Sequence, residues 1–253
     1  MSARDDFQQA GYGHYTAMRV EQGRVRGLAR HLERLDRDAW VVFGTGIAED
    51  IVRAEIRRAV DGHTEAVCAK ATVFAPGFDN RVPEADVEPQ VKVVVSALPA
   101  DDGEPLRVRT AGYQRDLPTI KHTGTFGPVY HRRLARKAGF DDVLFVNHDN
   151  EVSEGATWNV CFLDGQTVVF PSAPALPGIA VGLIQNGLTR AGLDYDVRPV
   201  AAADLAGFTA AFATNALRPV RAITTIDDVE FKVDADALAR LRRCHDSIPE
   251  ERV

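Results

Sequence analysis

The chain has 253 residues, 45% of them hydrophobic and 26% charged, and 30 Lys+Arg against 36 Asp+Glu leave a net charge of −6. No biased tract points to a disordered, collagen-like or linker protein, and the acidic balance offers no electrostatic footprint for nucleic acid. Cys68, Cys161 and Cys244 are odd in number and far apart, which argues against a disulfide scaffold or a zinc knuckle and for a reducing compartment. The N-terminal stretch MSARDDFQQAGYGHY is polar, and no window approaches the roughly 18 apolar residues that span a bilayer, so a cytoplasmic protein without a membrane partner is expected.

Leu32, Leu35, Ala39 and Trp40 recur at spacings of three and four, so residues 30–40 read as an amphipathic helix with its charges outward. Ile51, Val52, Ile56, Ala59 and Val60 form the apolar stripe of a second helix, stopped by Asp61-Gly62. Residues 66–74 and 89–99 read as strands, the second rich in valine and closed by proline. A short strand, LRVRTAGY, precedes QRDLPTI, a candidate hinge, and YHRRLARKAGF gives a helix ended at Gly139. Two hairpin patterns follow, turning at Asp149-Asn150 and Asp164-Gly165. A helix after Pro177-Gly178, strands in DYDVRPV and TAAFATNALRPVRAITTI, and a helix in DADALARLRRCHDSI complete the chain. The expected class is α/β (α+β) in two domains, 1–112 and 121–253, joined by a linker at 113–120. Hairpins in the second half exclude a doubly wound sheet.

The sequence holds no Walker loop, GxSxG elbow, HExxH or paired CxxC, and its scattered histidines give no support for a metal. Gly11 and Gly13 supply half of a dinucleotide loop without its third glycine. Three pieces could carry chemistry. Lys121, in IKHTGTF, has no carboxylate beside it in sequence, and a lysine in a partly desolvated pocket is an amine nucleophile toward an aldehyde; on its own the segment reads first as an ordinary exposed lysine. Glu154 ends a strand before Gly155, where an exposed turn carboxylate is the plain alternative. LPGIAVG opens a helix whose N–H groups attract phosphate, or simply begins one at proline.

Taken in order, GYGHYTAMRVEQGRVRGLARHLERL, IKH, VSEGATWNV, ALPGIA and TNALRPV resemble the class IV pyridoxal-phosphate enzymes of fold type IV. That family holds branched-chain and D-amino-acid transaminases and aminodeoxychorismate lyase, and the likeness covers nearly the whole chain. It implies pyridoxal 5'-phosphate held between the two domains, with Lys121 as the Schiff-base lysine and proton shuttle. Arg34 matches the phosphate-binding arginine and Glu154 the carboxylate facing the pyridine nitrogen. Leu176 matches the residue packed on the ring, Ile179 and Ala180 the main-chain donors to the phosphate, and Thr214 and Asn215 a further phosphate or substrate contact. The implied activity is amino transfer between an amino acid and a 2-oxo acid; the alternatives are elimination of pyruvate from aminodeoxychorismate and a pyridoxal-phosphate-binding protein without catalysis. A homodimer is expected.

The sequence also departs from the family's pattern. The chain begins about ten residues before the glycine turn, with Asp5 and Asp6, so an N-terminal strand is expected to be shortened. AKATVFAPG lacks both arginines of the usual strand and leaves Lys70 there, and Phe126 stands where many branched-chain enzymes place tyrosine. Thr16 and Asn215 resemble the lyase's residues more than the transaminases'.

Overall fold

A computed structural model describes residues 11–100 and 103–253, so Asp5 and Asp6 lie outside the described residues. The elements, in chain order, are β1 (His14–Val20), β2 (Arg24–Arg26), α1 (Leu28–Phe43), α2 (Glu49–Val60), β3 (Val67–Phe74), β4 (Gln90–Ala97) and β5 (Leu106–Gly112). They continue with α3 (Phe126–Lys137), β6 (Asp142–Val146), β7 (Val152–Gly155), β8 (Asn159–Asp164), β9 (Thr167–Pro171), α4 (Ile179–Arg190) and β10 (Tyr195–Arg198). A 3-10 turn at Ala202–Gly207 leads to β11 (Ala210–Thr214), β12 (Arg221–Ile226), β13 (Val229–Glu230), α5 (Ala235–Asp246) and β14 (Glu250–Arg252).

Contacts group the chain into two units. The first holds residues up to Pro99 with Ile120–Gly124 and Pro249–Val253; the second holds Ala100–Thr119 and Thr125–Ile248. Two features fall differently from the boundaries expected at 112 and 121. β5 belongs to the second unit because it pairs with β6 and β12, and the residues around Lys121 belong to the first because they pair with β1.

In the first unit β1, β3 and β4 form an antiparallel sheet in that order. Side chains alternate across a strand, so Met18, Val20, Ala69, Ala71, Val73 and Val93 share one face, which packs on Leu28, Leu32, Leu35 and Ala39 of α1 and Val52, Ile56 and Val60 of α2. α1 is bounded by Gly27 and Gly44, both left-handed at φ 73° and 71°, a conformation that favours glycine at helix ends. α2 carries Glu49 and Asp50 in its first turn and Arg57 and Arg58 in its last, each opposing the helix dipole. A small sheet pairs β2 with β14.

The outer edge of β1 is also used. Tyr15 N–H donates to the Lys121 carbonyl at 2.9 Å, Thr123 N–H donates to the Gly13 carbonyl at 2.8 Å, and His14 and His122 form the bridge between these bonds. A Cβ on Gly13 would stand 2.6 Å from the Val73 carbonyl oxygen, so this glycine permits close passage of two backbones. That accounts for Gly13; a Cβ on Gly11 would meet no neighbour.

The second unit is a mixed sheet in the order β10-β9-β8-β11-β12-β5-β6-β7, with β13 added to β12 and β7 also paired to β8. That last pairing, Glu154 opposite Asn159, closes the strands from β8 to β7 into a ring. Parallel neighbours need a crossover, and α3 supplies it between β5 and β6, α4 between β9 and β10. Alternate residues divide between two cores: Val108, Leu144, Val160, Phe162 and Ile223 on one side, and Cys161, Leu163, Phe170 and Phe212 against Ile184, Leu188 and Leu241 of α4 and α5 on the other. The three cysteines are free and buried, and burial pushes the Cys161 thiol up to about 12. Among the described residues no helix is long and apolar enough to cross a membrane.

Candidate active site

In the first unit only part of the charged face of α1 turns outward as its apolar spacing predicts: Glu33 and Arg37 are exposed, others are not. His31, Arg34 and Asp38, at i, i+3 and i+7, are 1%, 6% and 0% exposed. They form a second buried stripe, facing His14 and Thr16 of β1. An Arg34 Nη2–H donates to Thr16 Oγ1, and the same hydroxyl lies 2.6 Å from His31 Nδ1. Burial, reinforced by the Arg34 and Lys121 charges, holds the His31 imidazole well below its ordinary range, so the ring is neutral at pH 7. His14 is lowered to about 4, chiefly by burial and further by Arg34 and Arg37, with Asp38 opposing; neither of its ring nitrogens finds a hydrogen-bond partner among the described residues.

Lys121 is half-buried at the rim of this cluster. Its N–H donates to Asp38 Oδ2 at 3.1 Å, and its ammonium group lies 4.9 Å from the centroid of the Tyr15 ring. The Lys70 ammonium lies 4.3 Å from the same centroid. The first unit therefore brings together Lys121, Arg34 and Thr16, and Lys70 stands at the Tyr15 ring where family arginines are missing.

In the second unit Glu154 is a strand residue of β7 and only 6% exposed, in contrast to an exposed turn carboxylate. Arg115 Nε faces its Oε1 at 3.1 Å, both side chains being buried, and Leu176 N–H donates to its Oε2 at 3.3 Å. Asn159 braces the same turn: its Nδ2–H donates to the Leu176 carbonyl at 2.9 Å, and a Cβ on Gly178 would meet its Oδ1 at 2.0 Å. α4 begins at the residue after Gly178, and the N–H groups of Ile179 and Ala180 lie in its first turn, where a helix offers no internal acceptor. Buried Thr214 ends β11 beside Asn159, donating to its carbonyl at 3.5 Å. Asn215 turns back on its own loop: its Oδ1 accepts from the N–H groups of Leu217 and Arg218 at 2.9 and 2.7 Å. Phe126, which opens α3, is 82% exposed and stacks on Tyr130.

Sequence reasoning passed over Asp38, Arg115 and Asn159 and gave His31, one of the scattered histidines, no role. A signal for the first existed: His31, Arg34 and Asp38 repeat at helical spacing just as the leucines do. Arg115 and Asn159 act through contacts distant in sequence, which no local pattern discloses.

The sequence model of the amino-transferase class IV family matches residues 13–226, and the chain belongs to that family. No curated protein sequence matches it. Among solved structures it resembles a protein from Legionella pneumophila subsp. pneumophila str. Philadelphia 1, provisionally described as a 4-amino-4-deoxychorismate lyase. That structure aligns with TM-score 0.86 and 19% identity over 98% of this chain and 95% of the other. The branched-chain aminotransferase of Thermoproteus uzoniensis, with norvaline, aligns with TM-score 0.85 and 17% identity over 93% and 84%. The PLP-bound form of a hypothetical aminotransferase from Mycobacterium tuberculosis gives 0.83 and 19% over 98% and 93%. At these identities the likeness establishes the fold: a fold type IV architecture of mixed helix and strand.

Proposed function

We propose that the protein is a pyridoxal-phosphate-dependent aminotransferase that moves an amino group between an amino acid and a 2-oxo acid. The observation that carries this reading is Glu154: a carboxylate buried in a strand, ion-paired to Arg115 and tied to the Leu176 turn that leads into α4. An ionised group so placed needs a reason, since burial without compensating partners is costly. A carboxylate is an acceptor when ionised, and a protonated ring nitrogen is a donor that suits it. The donor set as a whole suits the cofactor: an amine at Lys121, a guanidinium at Arg34, a helix start at Ile179 and Ala180, and a carboxylate at Glu154.

When bound, pyridoxal phosphate supplies an aldehyde for an amine and a ring that accepts the electron pair released at the substrate Cα. Lys121 would be the amine that holds the aldehyde and, once displaced by the substrate's own amine, the base that takes the Cα proton on Nζ. Arg34 would bond phosphate through its planar guanidinium, which suits a bidentate contact, and the first N–H groups of α4 would be phosphate donors. Glu154 would hold the proton on the ring nitrogen, its orientation fixed by Arg115, and Leu176 would be the apolar residue packed on the ring. Thr214 and Asn215 supply a further phosphate or substrate contact. The apolar positions that α3 leaves exposed, Phe126, Val129 and Tyr130, accord with a homodimer, to be checked by light scattering.

The test is the visible spectrum of the protein purified with pyridoxal phosphate. A bound-cofactor band that disappears in Lys121→Ala supports the reading, and the same band in the variant overturns it. The second reading, elimination of pyruvate from aminodeoxychorismate, is favoured by Thr16, whose buried hydroxyl joins Arg34 to His31. Conversion of the loaded protein to its amino form by single amino acids supports transfer; pyruvate release from aminodeoxychorismate without that conversion supports elimination. Neither outcome would favour a cofactor-binding protein without catalysis.

A further inference from the structure

The Tyr15 ring is attended by two primary amines, those of Lys121 and Lys70. Lys70 reaches it from β3, where it pairs with Ala17, two residues along the same face of β1 from Tyr15. Lys70 is the more exposed of the two and the nearer to the ring. Proximity to the ring alone does not decide which amine reacts.

The backbones differ. Both peptide groups of Lys121 are held, its carbonyl by Tyr15 N–H and its N–H by Asp38 Oδ2. Asp38 is fully buried, and its other oxygen, Oδ1, accepts from Arg37 Nε at 3.0 Å and Nη2 at 2.6 Å. A buried carboxylate is stabilised only by such bonds, and one that bonds a charged acceptor to a peptide N–H is stronger than its neutral counterpart. Asp38 also lies one helical turn beyond Arg34, so one stripe of α1 carries both the guanidinium and the group that pins the lysine. We infer that Asp38 is a positioning residue that clamps the Lys121 peptide and so assigns the reacting amine to Lys121 over Lys70.

This rests on the role given to Lys121 above, and the test separates the two. The full-length protein is loaded with pyridoxal phosphate, reduced with borohydride and digested, and the modified lysine is identified by peptide mass. In the unaltered protein the label is expected on Lys121. In Asp38→Ala the Lys121 label should fall about tenfold, the scale of losing one charged hydrogen bond, while Lys70 acquires label. Asp38→Asn, which keeps an acceptor for the Lys121 N–H, should recover most of it. General loosening of the fold would lower labelling without redirecting it to Lys70. Absence of label from Lys121 in the unaltered protein overturns the assigned role of Lys121. Label on Lys121 that is unchanged in amount and distribution in Asp38→Ala overturns the clamp alone. Should the alanine variant fail to fold, hydrogen exchange at the Lys121 amide of the unaltered chain decides: slowing of roughly tenfold or more is expected from a closed bond, and exchange at the intrinsic rate overturns the clamp.

Discussion

The two units place their polar residues in opposite ways. In the first, side chains bond to side chains on a helix stripe: His31 and Arg34 meet on Thr16, and Asp38 gathers Arg37 and the Lys121 N–H. In the second, side chains brace backbone at strand ends: Glu154 and Asn159 hold the two peptide groups of Leu176, and Arg115 pairs with Glu154. The first arrangement depends on protonation, because neutral imidazoles sit among cations. The second depends on an ion pair and on close packing.

Breaking that ion pair is the largest change available. Arg115→Ala should cost roughly 3–5 kcal/mol in urea unfolding, since it leaves the buried Glu154 carboxylate without its guanidinium partner. Glu154→Gln, which keeps the shape, should slow Cα deprotonation in single-turnover kinetics more than it weakens cofactor binding. Next comes acid. The unfolded chain binds a proton at His14 near pH 6.5 and the folded chain only near 4, so the stabilisation is complete above pH 6.5 and lost as pH falls toward 4. The loss from His14 alone is about 3 kcal/mol. Urea titrations across that window should show it, and His14→Leu should flatten the fall by a comparable amount; an unchanged slope would place the acid response elsewhere. Thr16→Val removes the hydroxyl shared by Arg34 and His31 and should cost about 1–3 kcal/mol, with weaker binding of pyridoxal phosphate than of unphosphorylated pyridoxal as its signature. Smallest is Gly178→Ala, whose Cβ displaces the Asn159 amide and forfeits its bond to Leu176, about 1 kcal/mol by thermal melt.

Periodicity located the helices and most strands because their apolar residues repeat at 3.6 or 2. It did so for α1 and α2, for β3 and β4, and for the hairpins of the second unit. β1 and β2 were not read as strands: in HYTAMRV the buried positions include His14 and Thr16, which blur the alternation. The parallel pairing of β9 with β10 and the closure of β7 on β8 have no local signature, being set by partners far along the chain. At the site, Lys121, Arg34 and Glu154 stand out as residue types in a recognisable order. Asp38 and Arg115, which hold two of them in place, do not, because their significance lies in which distant atoms they touch.

The segment Ile120–Gly124 returns from the second unit to complete the edge of β1, and residues 249–253 return to pair β14 with β2. During synthesis, therefore, the ribosome releases residues 11–99 well before the two pieces that finish their sheets. The earlier part must wait with an open strand edge, the kind of surface that invites wrong pairing and slows folding. Its last contacts, those of β14 with β2, can form only after residues 249–253 have been made, long after the Lys121 segment.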